Sequence, residues 1–163
     1  MRISQNKLAY IEEAGLMFEK LGMTRMTGRV LGYLLVCDKD AVTFDQILET
    51  LKASKGSVSN STRQLIQIGF IEPVTFPGDR KTYYRMSDIE IDEILRNRMK
   101  LFSDFSSVLA KGRSVKERDD AVSKWLLEAS VFYSWVESQI DEVIERWQQE
   151  KESIMNQHLE KKS

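Results

Sequence analysis

Apolar positions recur at helical spacing along most of the chain and switch to a strand-like pattern once, in the middle. Leu8, Ile11, Ala14, Gly15, Phe18 and Leu21 form one stripe over residues 5–21, with Ser4 as cap and Gly22 as stop. Tyr10, Ala14, Met17 and Leu21 form a second stripe, so this helix has apolar surface for more than one neighbour, a second subunit among them. Residues 23–26 read as a loop, and Thr27 reads as the cap of a helix ending at Val36, with Val30, Leu31, Leu34 and Leu35 inward. Arg25 and Arg29, near its start, are candidates for contact with a polyanion or simple surface cations. After a turn at Asp38-Lys39-Asp40, Thr43 and Gln46 have capping-box spacing, and Phe44, Ile47, Leu48 and Leu51 follow at helical intervals.

The next helix, residues 55–68, begins after Ser54 and stops at Gly69. Val58, Leu65, Ile66 and Ile68, with Thr62, read as its inner side. Lys55, Ser57, Ser59, Asn60, Ser61, Arg63, Gln64 and Gln67 read as its outer side. That outer side has no acid and no internal ion pair, and Ser and Asn are weak helix formers. A solvated Ser-rich surface is one reading. A DNA major groove is the other: small hydroxyls allow close approach, Asn and Gln pair with adenine, and Lys and Arg pair with guanine. The hairpin that follows favours the second. Residues 71–76 and 81–86 read as strands around a Pro77-Gly78-Asp79-Arg80 turn, with Arg80 and Lys81 at the tip. Helix, turn, helix and basic-tipped hairpin is the order of a winged helix-turn-helix, whose second helix enters the major groove and whose wing reaches phosphate or the minor groove.

Beyond the hairpin, Ser87 and Glu90 predict a second capping box and a helix over residues 88–111. Ile91, Leu95, Arg98, Phe102, Phe105 and Leu109 form its stripe, Ile94, Leu101 and Val108 widen it, and Gly112 is its break. Ser114 and Glu117 predict a third capping box and a last helix over residues 115–156. Val122, Trp125, Ala129, Phe132, Val136, Ile140, Val143 and Trp147 form its seam, closing within one chain or between two. Residues 151–163 are charged and expected to fray. The expected fold is mainly α, a winged helix-turn-helix with a two-stranded wing and long terminal dimerisation helices. Its expected divisions are 1–22, 23–86 and 87–163.

Charge sharpens this picture. The chain of 163 residues has net charge −1, yet residues 52–85 carry Lys52, Lys55, Arg63, Arg80, Lys81 and Arg85 against only Glu72 and Asp79. That segment is +4 and the remainder −5. Phosphate neutralisation is local, so the segment matters more than the sum. Cys37 is alone, in an apolar run that reads as buried, and His158 lies in the charged tail. Without a catalytic cluster, a metal-ligand spacing or a Gly-rich phosphate loop, neither enzyme nor cofactor nor metal is expected. No signal peptide or membrane-length apolar run is seen, so a cytoplasmic protein away from the membrane is expected. The alternative function is a winged-helix adaptor that binds protein through its long helices and leaves DNA alone.

The runs Met26-Thr27-Gly28-Arg29-Val30-Leu31-Gly32-Tyr33-Leu34-Leu35, Ser54-Lys55-Gly56-Ser57-Val58-Ser59, Gly69-Phe70-Ile71-Glu72 and Pro77-Gly78-Asp79-Arg80-Lys81-Thr82-Tyr83-Tyr84-Arg85 together resemble the GbsR-type branch of the MarR superfamily. The resemblance implies a homodimeric regulator of transcription on double-stranded DNA, with two recognition helices in successive major grooves. It also implies a repressor, of osmoprotectant (choline and glycine betaine) genes. On that footing Ser54, Lys55, Ser57, Ser59, Asn60, Ser61, Arg63, Gln64, Arg80 and Lys81 are the candidate DNA contacts, with Asp79 orienting a basic neighbour. Trp125, Phe132, Tyr133 and Trp135, with Tyr10 and Tyr33 as outlying candidates, are either core or an aromatic site for a small-molecule effector such as choline.

Overall fold

The computed structural model describes residues 3–161 and divides into two compact units, residues 1–89 and 90–163. The first unit begins with α1 (Gln5–Lys20), capped by Ser4, whose hydroxyl accepts from the Lys7 amide. It continues with α2 (Arg25–Val36), β1 (Val42–Thr43), α3 (Phe44–Leu51), α4 (Lys55–Ile68), β2 (Ile71–Val74) and β3 (Tyr83–Met86). The helix stops are those the glycines predict. Gly22 and Gly69 have φ of 80° and 90°, and Gly69 and Phe70 return their amides to the last turn of α4.

The cap of α2 differs from expectation. Thr24, three residues earlier, accepts from the Thr27 amide, and Thr27 itself is fully buried inside the helix. Arg25 and Arg29 are also accounted for within the unit. Both pair with Glu12 on α1, and Arg29 also donates to the Leu51 carbonyl.

Helices α1 and α2 cross almost backbone to backbone. A β-carbon on Gly28 would lie 2.4 Å from the Ala14 carbonyl oxygen, and one on Gly32 would lie 2.8 Å from the Ala14 β-carbon. Below them Ile11, Val30, Leu31, Leu34, Val42, Ile47, Leu51, Val58, Leu65 and Ile71 form one core. Each large apolar side chain buried there is worth roughly 1.5–3 kcal/mol. The predicted wing gains a third strand. Val42 and Thr43 pair antiparallel with Tyr84 and Tyr83, so the sheet order is β1-β3-β2, with Pro73 on the edge strand where its missing N–H costs no ladder bond.

The second unit is a helical hairpin of α5 (Ile91–Val115) and α6 (Ala121–Glu160). Three predicted boundaries move. Ser87 accepts from the Ile89 amide, and α5 starts after Glu90 with no side-chain cap. Helix α5 runs through Gly112, where an added β-carbon would only touch Leu126. Ser114 donates to Lys111 instead of capping, and Asp120 caps α6 through the Val122 and Ser123 amides. Helix α6 continues through the stretch expected to fray; residues 162 and 163 of that stretch lie outside the described residues.

The two helices run antiparallel, as Arg96–Asp141, Gln148–Asp92 and Lys151–Glu90 show. The seam is shifted from the predicted one. Ser123, Ser130 and Ile144 are buried on α6, whereas Val122, Trp125, Phe132 and Val143 are exposed. The serines permit close approach because their hydroxyls are satisfied, Ser123 by the Arg118 carbonyl in the connection before α6 and Ser130 by the Leu127 carbonyl within it, while Ser106 donates across to the Ser130 carbonyl.

Candidate nucleic-acid interface

Helix α3, a three-residue turn and α4 make the helix-turn-helix. Thr43 and Gln46 close the capping box on α3, and Lys52 turns the corner at φ 49°. Ser54 caps α4 by accepting from the Ser57 amide at 3.2 Å. The helix then divides into faces. Val58, Ser61, Thr62 and Leu65 are buried, while Lys55, Gly56, Asn60, Arg63, Gln64 and Gln67 are exposed. Gly56, Asn60, Arg63 and Gln67 follow one another by four, three and four residues and so form the stripe opposite the core. Ser57 and Ser59 sit half-buried at its edges.

Ser61 departs from the expected outer side. It is 1% exposed, and its hydroxyl lies 3.4 Å from that of Thr27, so it is part of the packing against α2. Gln64 remains exposed but is tethered: the Thr27 hydroxyl donates to its side-chain carbonyl at 2.7 Å. Thr27 carries this contact and was not among the predicted site residues. Its signal in the sequence is only a threonine on the apolar side of α2, four residues before Leu31 and three before Val30.

The wing tip is built from its own side chains. The Asp79 amide closes a turn onto the Phe76 carbonyl, with Pro77 and a positive-φ Gly78 at its centre, the pattern of a type II turn. Asp79 then accepts from the Lys81 amide at 2.9 Å and from the Tyr83 hydroxyl at 2.7 Å. The Lys81 amide, and after it the Tyr83 hydroxyl, holds the Asp79 carboxyl below its ordinary value, and Asp79 in turn pushes the Tyr83 phenol up. Phe76 packs edge-on against the Tyr83 ring at 4.9 Å. Asp79 thus orders the loop that displays Arg80 and Lys81.

The local positive charge is largely uncompensated. Among the described residues Lys52, Lys55, Arg63, Arg80 and Lys81 form no ion pair. Arg85 is the exception. It bridges Glu72 across the strands and Asp88 beyond them, and the Glu72 hydrogen bond is the main reason its pKa is raised. What the surface offers is a set of donors and cations on a short helix and a loop.

In the second unit, Tyr133 contacts Phe102, Phe105 and Phe132, and Phe132 contacts Trp135. Three of the four expected effector residues therefore form one aromatic patch with α5. Phe132 and Trp135 keep more than half of their surface exposed. Trp125 is equally exposed, two turns earlier on α6. Tyr33 belongs to the first unit, where it is nearly buried, and Tyr10 is exposed on α1.

A curated relative, the HTH-type transcriptional regulator MmpR5 of Mycobacterium tuberculosis (strain ATCC 25618 / H37Rv), is 31% identical over 143 residues, covering 87% of each chain. A crystal structure of a transcriptional regulator matches with a TM-score of 0.79 and 30% identity, over 88% of this chain and 99% of that one. An S. aureus MepR–DNA complex is far more distant, with a TM-score of 0.41 and 18% identity over 83% of this chain and 98% of that one. No family profile matches the chain. The chain belongs to the family of HTH-type transcriptional regulators that includes MmpR5, and its fold is a winged helix-turn-helix. Among the described residues no helix is long and apolar enough to cross a membrane.

Proposed function

We propose that the protein is a sequence-specific double-stranded DNA-binding regulator, acting as a homodimeric repressor. The observation that carries this is the exposed, acid-free face of α4, with Lys55 and Arg63 unpaired, in the same unit as a wing tip that displays Arg80 and Lys81. Ion pairs engage the neighbouring Arg25, Arg29 and Arg85, whereas among the described residues Lys52, Lys55, Arg63, Arg80 and Lys81 form none, as do Lys20 and Lys39 elsewhere in the unit. In this reading Lys55, Ser57, Ser59 and Asn60 reach base edges, Ser54 and Arg63 reach the flanking backbone, and Arg80 and Lys81 reach phosphate or the minor groove. Dimerisation is supported by the apolar surface left open on α1, α5 and α6.

The finer assignment is a GbsR-type repressor of osmoprotectant genes that responds to a ligand such as choline. It rests on the sequence resemblance, and on the exposed ring faces of Phe132 and Trp135, which suit a quaternary ammonium. The test of the main reading is fluorescence anisotropy on duplex DNA from upstream of the protein's own operon, against scrambled duplex, over a salt series. Preference for the upstream duplex, with affinity falling steeply with salt, is expected. No binding to any duplex at low salt overturns the reading and turns attention to protein partners. Choline added to the same complex should change its anisotropy if the finer assignment holds.

A further inference from the structure

We infer that Thr27 determines what the recognition helix can read at Gln64, by tethering the carbonyl end of that side chain to α2 and leaving its amide hydrogens as the groups free to reach a ligand. The inference rests on the DNA-binding reading above and specifies one position of it. Thr27 is fully buried in α2, and three oxygens surround its hydroxyl: Thr24 Oγ1 at 2.7 Å, Gln64 Oε1 at 2.7 Å and Ser61 Oγ at 3.4 Å.

A hydroxyl has one proton. The Gln64 carbonyl can only accept, so the Thr27 proton goes there. The Thr27 oxygen is then left to accept, and the Thr24 hydroxyl donates to it. Thr24 Oγ1 meanwhile accepts from the Thr27 amide at 3.1 Å as the cap of α2. The polarity of the chain is therefore Thr24 to Thr27 to Gln64, and it begins at the helix cap.

The consequence lies on the DNA side. A free glutamine reads adenine with two bonds, its carbonyl accepting from N6 and its amide donating to N7. Thr27 occupies one lone pair of the Gln64 carbonyl and holds that oxygen toward α2, so the two amide hydrogens are the groups of Gln64 left unengaged. Those match an edge that only accepts: guanine O6 and N7, thymine O4, or a phosphate oxygen. Adenine reading on α4 falls to Asn60, which is exposed and whose side chain forms no hydrogen bond among the described residues. The core position Ser61 serves the same arrangement. A larger side chain there would separate α4 from Thr27.

The experiment compares the full-length protein with Thr27→Val, Thr27→Ser and Gln64→Ala in selection from a randomised duplex pool, with anisotropy on the winning duplex over a salt series. Thr27→Val removes the hydroxyl at nearly constant shape. Thr27→Ser keeps it and should behave as wild type. Gln64→Ala alters only a surface side chain, so it reports even if the core variant does not fold. If the acceptor is a base, Gln64→Ala should lose guanine or thymine preference at one position of each half-site, by about 5- to 100-fold. Thr27→Val should admit adenine at that same position. If the acceptor is phosphate, both variants should lose affinity on all sequences alike and leave base preferences intact. Thr27→Val matching wild type in both preference and affinity would overturn the inference, as would an unchanged Gln64→Ala. Failure of the wild type itself to select any sequence would strike the DNA-binding reading instead.

Discussion

A β-carbon placed on Gly56 meets nothing within 4 Å, and the residue lies in the first turn of α4 without a positive φ. Glycine there weakens the helix by up to about 1 kcal/mol relative to alanine and gains no intramolecular contact in exchange. Under the proposed DNA-binding role, close approach of the DNA backbone at this position would account for it. Gly56→Ala should therefore raise the melting temperature while lowering DNA affinity. Thermal denaturation and anisotropy on the same preparation would check this, and a variant that is both more stable and an undiminished binder would remove the explanation.

At the wing, Arg80→Ala should weaken binding to every duplex and flatten the salt dependence by about one counterion. Asp79 governs the loop that holds this arginine. Its folded pKa is depressed, so the tether is intact above the ordinary carboxylate value of about 3.9 and is lost as pH falls through the lower folded value. The Lys81 amide resonance should then titrate with a midpoint below that value. A midpoint at or above it would mean that the tether does not form in solution.

These residues differ in how far the sequence reveals them. Ser57 and Ser61 look alike in a polar run. Only the 58, 61–62, 65 period places Ser61 inward, and only the hydroxyl of Thr27 on another helix makes a polar residue acceptable there. Asp79 was readable because its partners lie within four residues.

Between elements, the α1–α2 crossing has the least tolerance. Gly28 faces the Ala14 carbonyl, the Phe18 β-carbon and the Gly15 α-carbon, all at 2.8 Å or less from an added β-carbon. Two of these are backbone, which cannot rotate away. Gly28→Ala should destabilise the first unit by about 1–3 kcal/mol as the helices are forced apart. Chemical denaturation followed by circular dichroism would measure it; a loss below half a kilocalorie would mean that the helices sit farther apart than the structure shows. Gly112 makes the opposite case. It was expected to end a helix, yet α5 continues because its neighbour Leu126 stands back at 3.6 Å and α6 packs alongside. Local propensity cannot separate the two glycines, because the difference lies in the partner helix. The same limit applies to α6. Apolar spacing alone favoured the stripe through Val122, Trp125 and Phe132, whereas the helix turns Ser123 and Ser130 inward, where small side chains let α5 come close. The local signals did carry the helix-turn-helix: a capping box, a serine cap, a glycine stop and a Pro-Gly turn each act within four residues, and each is realised.

At the scale of the whole molecule, apolar side chains remain outside the α5–α6 seam. Leu127 and Val131 are each more than half exposed on α6, as are Leu101 and Val108 on α5. Single exposed apolar residues are ordinary, but a continuous apolar helix face is generally covered. A second copy of the chain supplies a matching face by symmetry, and a two-fold dimer presents two α4 helices to two half-sites. Light scattering should accordingly give twice the 18.9 kDa of one chain. Val131→Glu combined with Leu127→Glu should give monomers, since two charges would then be placed in each apolar face and four in the dimer. Helix content should persist, because neither side chain is buried in the α5–α6 seam. The monomer should retain contact with a single half-site while losing most of its affinity for the full operator, because the linked second contact is gone. A monomeric wild type, or a double variant that remains dimeric with full affinity, would place the subunit contact elsewhere and leave this face for another partner.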